Sequence, residues 1–249
     1  SLGAMIRQTQ PTSVYVVFDG AGSTANRKNL LSEYKGSRNL QRITNWDAFD
    51  SLEDEHDSKV DQIVRVIQYL KLLPVKTTIL DKVEADDIIA TVVRYHSSPL
   101  EGGMAFEPCL IVSGDKDFIQ LHRYGDTSQW SPIQSKWIRG NPEKYLQEHI
   151  LKGDRGDGVP NILSKDDVFV SSGRQTPLRQ KKIKEILDDL EEGELLYAAS
   201  WYAGYCRNKT LIDLNEIPEY IQSQIVDFYM ESNDNDRSKL FNYFKHQAQ

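Results

Sequence analysis

Acidic residues recur along this sequence, and several of them directly follow short apolar segments. Carboxylate oxygens are the ligands that hard divalent ions such as Mg²⁺ and Mn²⁺ prefer. Two such ions about 4 Å apart can activate a water molecule and stabilise the leaving oxygen of a phosphodiester. The residues that could supply this chemistry are Asp19, Glu84, Asp86, Asp87, Asp115, Asp117, Asp154 and Asp157.

The spacing within each group of acids limits what its members can bind. Asp115 and Asp117 follow an apolar segment at positions i and i+2, so both can converge on one ion. Glu84 and Asp87 share a helix face at i and i+3, whereas Asp86 does not. At least one of these three acids therefore acts through a water molecule or lies in a different coordination shell.

Each group also has a simpler explanation when it is considered alone. Acids in the first turn of a helix complement the helix dipole. The pair Asp19 and Gly20 is typical of a turn after a strand, and segment 153–157 is compatible with a solvated loop. The combination of all these acids in one chain, rather than any one of them, predicts a metal site.

The elements that would position these acids alternate along the chain. Apolar runs at 14–18, 77–80 and 109–112 predict buried strands, and the patterns over 60–73 and 84–96 predict helices. This alternation predicts an α/β fold with a mostly parallel central sheet flanked by helices. Because the carboxyl ends of parallel strands meet at one edge of a sheet, acids distant in sequence would meet there.

The character of the sequence changes beyond about residue 142, where helical patterns dominate. The remaining predicted elements are an edge hairpin over 129–138 and helices over 180–190, 195–206 and 217–230. We therefore divide the chain into an α/β core over residues 1–150 and a helical region over residues 151–249.

A basic segment over about 21–45 contains several lysines and arginines among glycines, including Lys35 and Arg38. Alone it is typical of a solvated surface loop, but next to a metal site it could bind phosphate groups. The histidines, His122 and His149 among them, show no metal-ligand spacing, and we interpret them as structural or exposed.

Composition limits the classes of protein that this chain can belong to. Of its 249 residues, 39% are hydrophobic and 27% are charged, which predicts a packed core. No apolar run approaches the roughly 20 residues that a membrane helix needs, and residues 1–10 lack a signal-peptide pattern. Two cysteines without metal-ligand spacing indicate a reducing, cytoplasmic setting. The net charge of −7 argues against nucleic-acid binding, but cations bound by clustered acids would offset it.

Five short motifs occur in an order that resembles a known family. They are Phe-Asp-Gly at 18–20, Tyr-Lys-Gly-Ser-Arg at 34–38, Val-Glu-Ala-Asp-Asp at 83–87, Ser-Gly-Asp-Lys-Asp at 113–117 and Gly-Asp-Arg-Gly-Asp at 153–157. This set resembles the 5′-nuclease family of flap endonucleases, the 5′-nuclease domain of bacterial DNA polymerase I and phage RNase H. The likeness is strongest to the phage members, covers nearly the whole chain, and implies a PIN-like core.

The resemblance implies a role for each group of residues. All eight acids would belong to the metal site, which would hold two Mg²⁺ ions, with Mn²⁺ as a substitute. Asp19 would match the acid on the family's second strand. Lys35 and Arg38 would match basic residues of the family's arch, which orient the scissile phosphate, and the helical region would bind duplex DNA.

The resemblance also implies partners and a location. We expect branched or nicked DNA and RNA–DNA duplexes as substrates. A single-stranded DNA-binding protein or a sliding clamp would be a partner at the replication fork. A monomer in the cytoplasm of a phage-infected or bacterial host cell is expected.

Two features depart from the family pattern. Only 18 residues precede Asp19, whereas the family has a further strand with a metal-binding Asp before this point. We expect that strand to be lost by truncation or supplied by a separate N-terminal segment, and the alternative that Asp19 is itself the first acid stays open. Segment 158–162 lacks the full glycine pattern with which cellular members hold duplex DNA through a monovalent ion.

Three functional hypotheses follow. The first is a divalent-metal-dependent 5′→3′ exonuclease and flap endonuclease that removes RNA primers or DNA flaps in phage-type DNA replication. The second is a structure-specific DNA-binding protein that does not cut, because its metal site is incomplete without a separate N-terminal segment. The third is a metal phosphatase acting on small phosphate esters, against which the basic segment and the helical region argue.

Overall fold

The structure is a computed structural model, and it describes residues 2–36, 45, 47–97, 107–171, 173–193 and 196–231. Every structural statement below refers to these residues. Arg38 and the rest of segment 37–44, which belong to the predicted basic segment, lie outside the described residues. Within the described part of the chain, no helix is both long and apolar enough to cross a membrane.

Five strands form the sheets of the described residues. β1 (Tyr15–Asp19) pairs in parallel with β2 (Lys76–Leu80). β3 (Cys109–Val112) pairs in parallel with β4 (Thr127–Ser131), and β4 pairs antiparallel with β5 (Lys136–Ile138). The parallel pairs and the edge hairpin confirm the predicted α/β class, with the pairings divided between a two-stranded and a three-stranded sheet.

Eight α-helices occur in the described residues. They are α1 (Leu2–Thr9), α2 (Ala25–Leu30), α3 (Leu52–Leu70), α4 (Ala85–Ser97), α5 (Pro142–Lys152), α6 (Gln180–Glu192), α7 (Tyr202–Ile212) and α8 (Glu219–Glu231). Two 3₁₀ helices cover Lys116–Arg123 and Leu196–Ala198.

Several helix ends follow directly from local sequence. Ser51 caps α3, because its hydroxyl oxygen accepts a hydrogen bond of 3.0 Å from the backbone N–H of Asp54. Asn141 caps α5 in the same way through a bond of 2.7 Å from the backbone N–H of Lys144. α6 ends at Gly193, whose φ of +71° is the left-handed conformation that favours glycine at this position.

The predicted helix over 195–206 has the wrong bounds. The structure has only a 3₁₀ turn at Leu196–Ala198, and α7 begins at Tyr202 and continues to Ile212. Trp201 lies between these two elements, is only 3% exposed, and packs in a core cluster with Leu151 and Ile162. The break therefore places this large ring in the core instead of on one face of a continuous helix.

The main core cluster joins strands and helices from both halves of the chain. It contains Leu80 of β2, Ile88 of α4, Ile111 of β3 and Leu121 of the first 3₁₀ helix. Ile225 of α8 belongs to the same cluster, so the last described helix packs against α4. The division of the chain near residue 150 stays a prediction.

Helix α5 is held between the first 3₁₀ helix and α7. Asn208 of α7 is fully buried, and its amide donates hydrogen bonds of 2.8 Å to the backbone carbonyls of Ile150 and Pro160. Gly204 lies one turn earlier, and a Cβ at this position would lie 2.2 Å from the carbonyl oxygen of Ile162. This close packing fixes α5, which positions part of the candidate site.

Candidate metal centre

Arg27 of α2 binds two buried acids at the start of α4. Its Nη1 contacts Glu84 Oε2 and lies 3.0 Å from Asp87 Oδ2, while its Nη2 lies 2.7 Å from Asp87 Oδ1. Glu84 is 1% exposed and Asp87 is 5% exposed. Burial alone would lower the pKa of Arg27, but the two carboxylates outweigh it and raise that pKa. Arg27 is thus a fixed counter-ion for Glu84 and Asp87.

The Tyr34–Lys35 pair connects Glu84 to Asp157, which is distant in sequence. The Tyr34 hydroxyl donates a hydrogen bond of 2.8 Å to Asp157 Oδ2 and lies 3.2 Å from Glu84 Oε2. Lys35 Nζ forms an ion pair with Glu84 and lies 3.9 Å from Asp157 Oδ2. The backbone N–H of Lys35 also donates a bond of 2.7 Å to the carbonyl of Asp157. Main-chain and side-chain contacts therefore hold these segments together.

Asp19 binds the backbone at the start of α4, and Asp86 lies in the first turn of that helix. The Asp19 carboxylate, at the end of β1, accepts a hydrogen bond of 2.8 Å from the backbone N–H of Ala85. Burial and then the charge of Asp115 raise the pKa of Asp86 to about 7. The carboxylate form of Asp86 is therefore costly in the absence of a cation.

Asp115 and Asp117 follow β3, where the first 3₁₀ helix begins. Asp115 Oδ1 accepts a hydrogen bond of 3.0 Å from the backbone N–H of Asp117, so Asp115 caps that helix. Burial, followed by nearby carboxylates, also raises the pKa of Asp115. Tyr145 of α5 donates a bond of 2.8 Å to Asp117 Oδ1. The buried strand, the cap and Tyr145 thus position both acids.

His149, also on α5, lies between Asp117 and Asp154. Its Nε2 is 3.2 Å from Asp117 Oδ1 and 3.5 Å from Asp154 Oδ2. The contact with His149 lowers the pKa of Asp154. Asp154 Oδ1 accepts backbone hydrogen bonds of 2.6 Å from Gly156 and 3.2 Å from Asp157, which order the turn after α5. The interpretation of His149 as merely structural or exposed missed this position.

Acids from separate parts of the chain line one small cavity. Asp86, Asp117, Asp154 and Asp157 face it together with Arg27 and Tyr34. The lining acids come from the start of α4, the first 3₁₀ helix and the turn after α5. Their oxygens match the ligands that hard divalent ions prefer. Burial and then carboxylate repulsion raise the pKa of Asp86 and Asp115, and a bound cation would offset both, so the donor set fits divalent metal ions.

All eight acids predicted for the site lie in the described residues, but the structure places them in different surroundings. Glu84 and Asp87 are paired with Arg27, Asp19 is bound to the backbone at the start of α4, and Asp115 adjoins the cavity through Asp117. Sequence reasoning missed four residues in contact with these acids: Arg27, Tyr34, Tyr145 and His149. The i, i+4 spacing of Tyr145 and His149 was an available signal that both face one side of α5.

Two protein families match this chain. The family described as 5′-3′ exonuclease, N-terminal resolvase-like domain, matches residues 1–150. The family described as T4 RNase H, C terminal, matches residues 140–249.

Curated relatives extend this similarity. Ribonuclease H of Enterobacteria phage T4 is 35% identical over 241 residues, which span 94% of this chain and 74% of that protein. A 5′-3′ exonuclease of Buchnera aphidicola subsp. Acyrthosiphon pisum is 27% identical over 157 residues, which span 60% of this chain and 48% of that protein.

Solved structures share the fold. A bacteriophage T5 flap endonuclease, in a pseudo-enzyme-product complex with DNA and metal ions, has a TM-score of 0.59 and 17% identity, covering 92% of this chain and 87% of that chain. The T5 5′-exonuclease with divalent zinc ions bound has a TM-score of 0.56 and 18% identity, covering 92% of this chain and 88% of that chain.

Proposed function

We propose a role for each part of this centre from the premise that the chain belongs to the 5′-3′ exonuclease family. The premise rests on the family match over residues 1–150 and on 35% identity to a phage ribonuclease H. The chain is a metal-dependent 5′-3′ exonuclease and flap endonuclease, which confirms this part of the first hypothesis drawn from the sequence. The removal of RNA primers or DNA flaps in DNA replication stays a prediction. The proposals concern the ions, the residues and the substrate, for which DNA is supported by the similarity to a T5 flap endonuclease in complex with DNA.

The main support for the proposed metal site is that four acids line one cavity: Asp86, Asp117, Asp154 and Asp157. We infer two Mg²⁺ ions, with Mn²⁺ as a substitute, because the four acids that line the cavity offer carboxylate oxygens, which hard divalent ions prefer. Asp115, which caps the helix that carries Asp117, and Asp19, which binds the backbone at the start of α4, are proposed to complete this set. Bound ions would supply an activated water and charge stabilisation of the leaving oxygen.

Residues around the cavity would organise the acids and bind phosphate. Arg27 forms ion pairs with Glu84 and Asp87, which hold the first turn of α4 in place. Tyr34 orients Asp157 through its hydroxyl. Lys35 forms an ion pair with Glu84 and lies 3.9 Å from Asp157 Oδ2, and its ammonium can neutralise charge that develops on a phosphate at the cavity. Arg38 is proposed for the same task on the resemblance alone.

The substrates proposed are RNA primers and DNA flaps on branched or nicked duplexes, including RNA–DNA duplexes. The helical region over 151–249 would bind the duplex part, because an exposed row of cations precedes and begins α6. This row consists of Arg174, Arg179, Lys181 and Lys184. Such cations bind phosphates regardless of sequence and give strong salt dependence. A single-stranded DNA-binding protein stays an expectation from the resemblance.

The test uses the whole chain with a 5′-labelled flap duplex in Mg²⁺, with and without EDTA. Asp115→Asn should lower cleavage at least about 100-fold, because a lost ligand removes several kcal/mol of charge stabilisation. Asp126→Asn is the matched control, since Asp126 is exposed and lies in the turn before β4, outside the acid cluster. The control should cut like the unaltered chain.

Circular dichroism on each variant separates loss of chemistry from loss of fold. Cleavage that persists in Asp115→Asn, or that continues in EDTA, would contradict the proposed metal site. Equal loss in Asp115→Asn and Asp126→Asn would show that general destabilisation, not ligand removal, causes the effect.

A further inference from the structure

Three donor atoms on separate elements meet at one side of the acid cluster. Asp117 lies in the first 3₁₀ helix, His149 lies on α5, and Asp154 lies in the turn that follows α5. One donor atom from each residue lies within 4.8 Å of the others. This group contains a nitrogen donor, whereas the proposed metal ligands are all carboxylates.

The spacing of these donors fits a shared ion. Ligands about 2.1 Å from one ion, at angles of 90–110°, lie about 3.0–3.4 Å apart. His149 Nε2 lies 3.2 Å from Asp117 Oδ1 and 3.5 Å from Asp154 Oδ2. This nitrogen is buried, and it makes no hydrogen bond of normal geometry within the described part of the chain. Burial would lower the pKa of His149, but its contacts with Asp117 and Asp154 outweigh burial and raise that pKa to about 9. An ion bound at this nitrogen would therefore displace a proton.

Tyr145 fixes the orientation of the imidazole. Its ring is stacked on that of His149, with centroids 5.3 Å apart and planes at 22°. The same tyrosine donates its hydroxyl to Asp117 Oδ1 at 2.8 Å. Tyr145 thus contacts two of the three donor residues at once, as the outer partners of a metal ligand commonly do.

We propose that His149 is a nitrogen ligand that makes one ion position of this centre favour Mn²⁺ over Mg²⁺. The inference rests on the proposed function, because Asp117 and Asp154 are its proposed carboxylate ligands. Imidazole binds transition-metal ions well, whereas Mg²⁺ strongly prefers oxygen ligands. A centre made only of carboxylates would lack this source of selectivity.

The experiment measures binding of Mn²⁺ alone to the whole chain, without nucleic acid. Pulsed electron paramagnetic resonance detects the coupling of a directly bound ¹⁴N nucleus to the Mn²⁺ electron spin, and this coupling should be present. In His149→Gln the coupling should disappear, and Mn²⁺ affinity measured by calorimetry should fall about 10-fold or more. Mg²⁺ affinity should fall by much less than Mn²⁺ affinity.

His56→Gln is the matched control, because His56 is exposed on α3 and belongs to no group of metal-ligating side chains found in the described residues. It should keep both the nitrogen coupling and the Mn²⁺ affinity. Bound Mn²⁺ without nitrogen coupling in the unaltered chain would overturn the proposal, whether or not His149→Gln folds. Equal losses of Mn²⁺ and Mg²⁺ affinity in His149→Gln would also overturn it, since His149 would then only support the carboxylates.

The outcome can be separated from that of the proposed function. Nitrogen coupling in a chain whose flap cleavage is unaffected by Asp115→Asn would support the His149 ligand and contradict the catalytic assignment. Metal-dependent cleavage that Asp115→Asn abolishes, together with absent nitrogen coupling, would contradict the His149 ligand alone.

Discussion

The side-chain amide of Gln129 donates a hydrogen bond to the backbone carbonyl of Asp115. A second bond from the same nitrogen reaches the carbonyl of Ser113 at 2.9 Å. Gln129 lies on β4 and is fully buried, so it joins the neighbouring strand to the loop that carries Asp115. Gln129 therefore fixes the backbone of a proposed metal ligand through main-chain contacts.

Gln129→Leu should both destabilise the chain and weaken metal binding. The substitution leaves two carbonyl groups without their donor, which costs about 1–3 kcal/mol for a buried group. The loop of Asp115 would then move relative to Asp117. Urea unfolding measures the first effect, and calorimetric titration with Mg²⁺ measures the second.

Gln120→Leu is the matched control for this prediction. Gln120 is also fully buried and makes two backbone hydrogen bonds, to the carbonyl of Ile212 at 3.2 Å and from the N–H of Leu214 at 2.9 Å. It should lose similar stability with a smaller change in metal affinity. If both variants bind Mg²⁺ equally well, Gln129 has only a structural role.

The elements that carry the acids could be predicted from the sequence because their signals are local. The apolar run before Asp115 is short and rich in β-formers, and the predicted strand at 109–112 agrees with β3. The convergence of the acids that follow such runs could be predicted from one rule, that the carboxyl ends of parallel strands meet at one edge of a sheet. The sequence therefore predicted that these acids lie close together, but not the position of each one around the cavity.

Long-range partners could not be predicted in the same way. Arg27 is separated from Glu84 by 57 positions, and a basic residue in a basic segment gives no sign of which acid it will bind. His149 reaches Asp117 only because α5 packs against the first 3₁₀ helix. Such contacts depend on how helices pack. The periodicity of a sequence predicts which face of a helix is apolar, but it does not predict which element packs against that face.

Lys35→Met should lower flap cleavage strongly while keeping the fold. Methionine retains the length of the side chain and removes only the ammonium, which lies between Glu84 and Asp157. Loss of one preorganised charge donor typically costs about 100- to 1000-fold in rate. Single-turnover cleavage measures the effect, and thermal unfolding checks the fold.

Lys28→Met provides the comparison, because Lys28 lies on α2 of the same basic segment but is exposed. It should cut within a few-fold of the unaltered chain. If the two variants lose rate equally, the basic segment acts through its overall charge, and Lys35 has no special position.

Metal removal should lower thermal stability. A ligand present at 100 times its Kd stabilises the folded chain by about 2.7 kcal/mol, which corresponds to about 5–10 °C for a domain of this size. Differential scanning calorimetry in Mg²⁺ and in EDTA measures this difference. Equal melting temperatures in the two conditions would mean that the acids bind no ion in the folded state.

Asp86→Asn should raise the melting temperature more without metal than with it. Burial and the charge of Asp115 raise the pKa of Asp86 to about 7, so its carboxylate is ionised at an energetic cost above that pH. In EDTA at pH 8 the neutral amide should therefore raise the melting temperature. In Mg²⁺ the gain in melting temperature should shrink, because a ligand is lost. A melting temperature that falls in EDTA would show that Asp86 stabilises the metal-free chain.

Gly204→Ala should destabilise the chain through a backbone collision rather than through the site. A Cβ at Gly204 would lie 2.2 Å from the carbonyl oxygen of Ile162, so α7 would have to move away from the segment that follows the acidic turn. Overpacking of this kind costs about 1–3 kcal/mol. Gly3→Ala is the control: a Cβ at Gly3 in α1 would meet only the Arg7 side chain, at 3.7 Å, and alanine favours helix, so stability should stay equal or rise. Urea unfolding of both variants makes the comparison, and equal stability of the two would show that α7 can shift without cost.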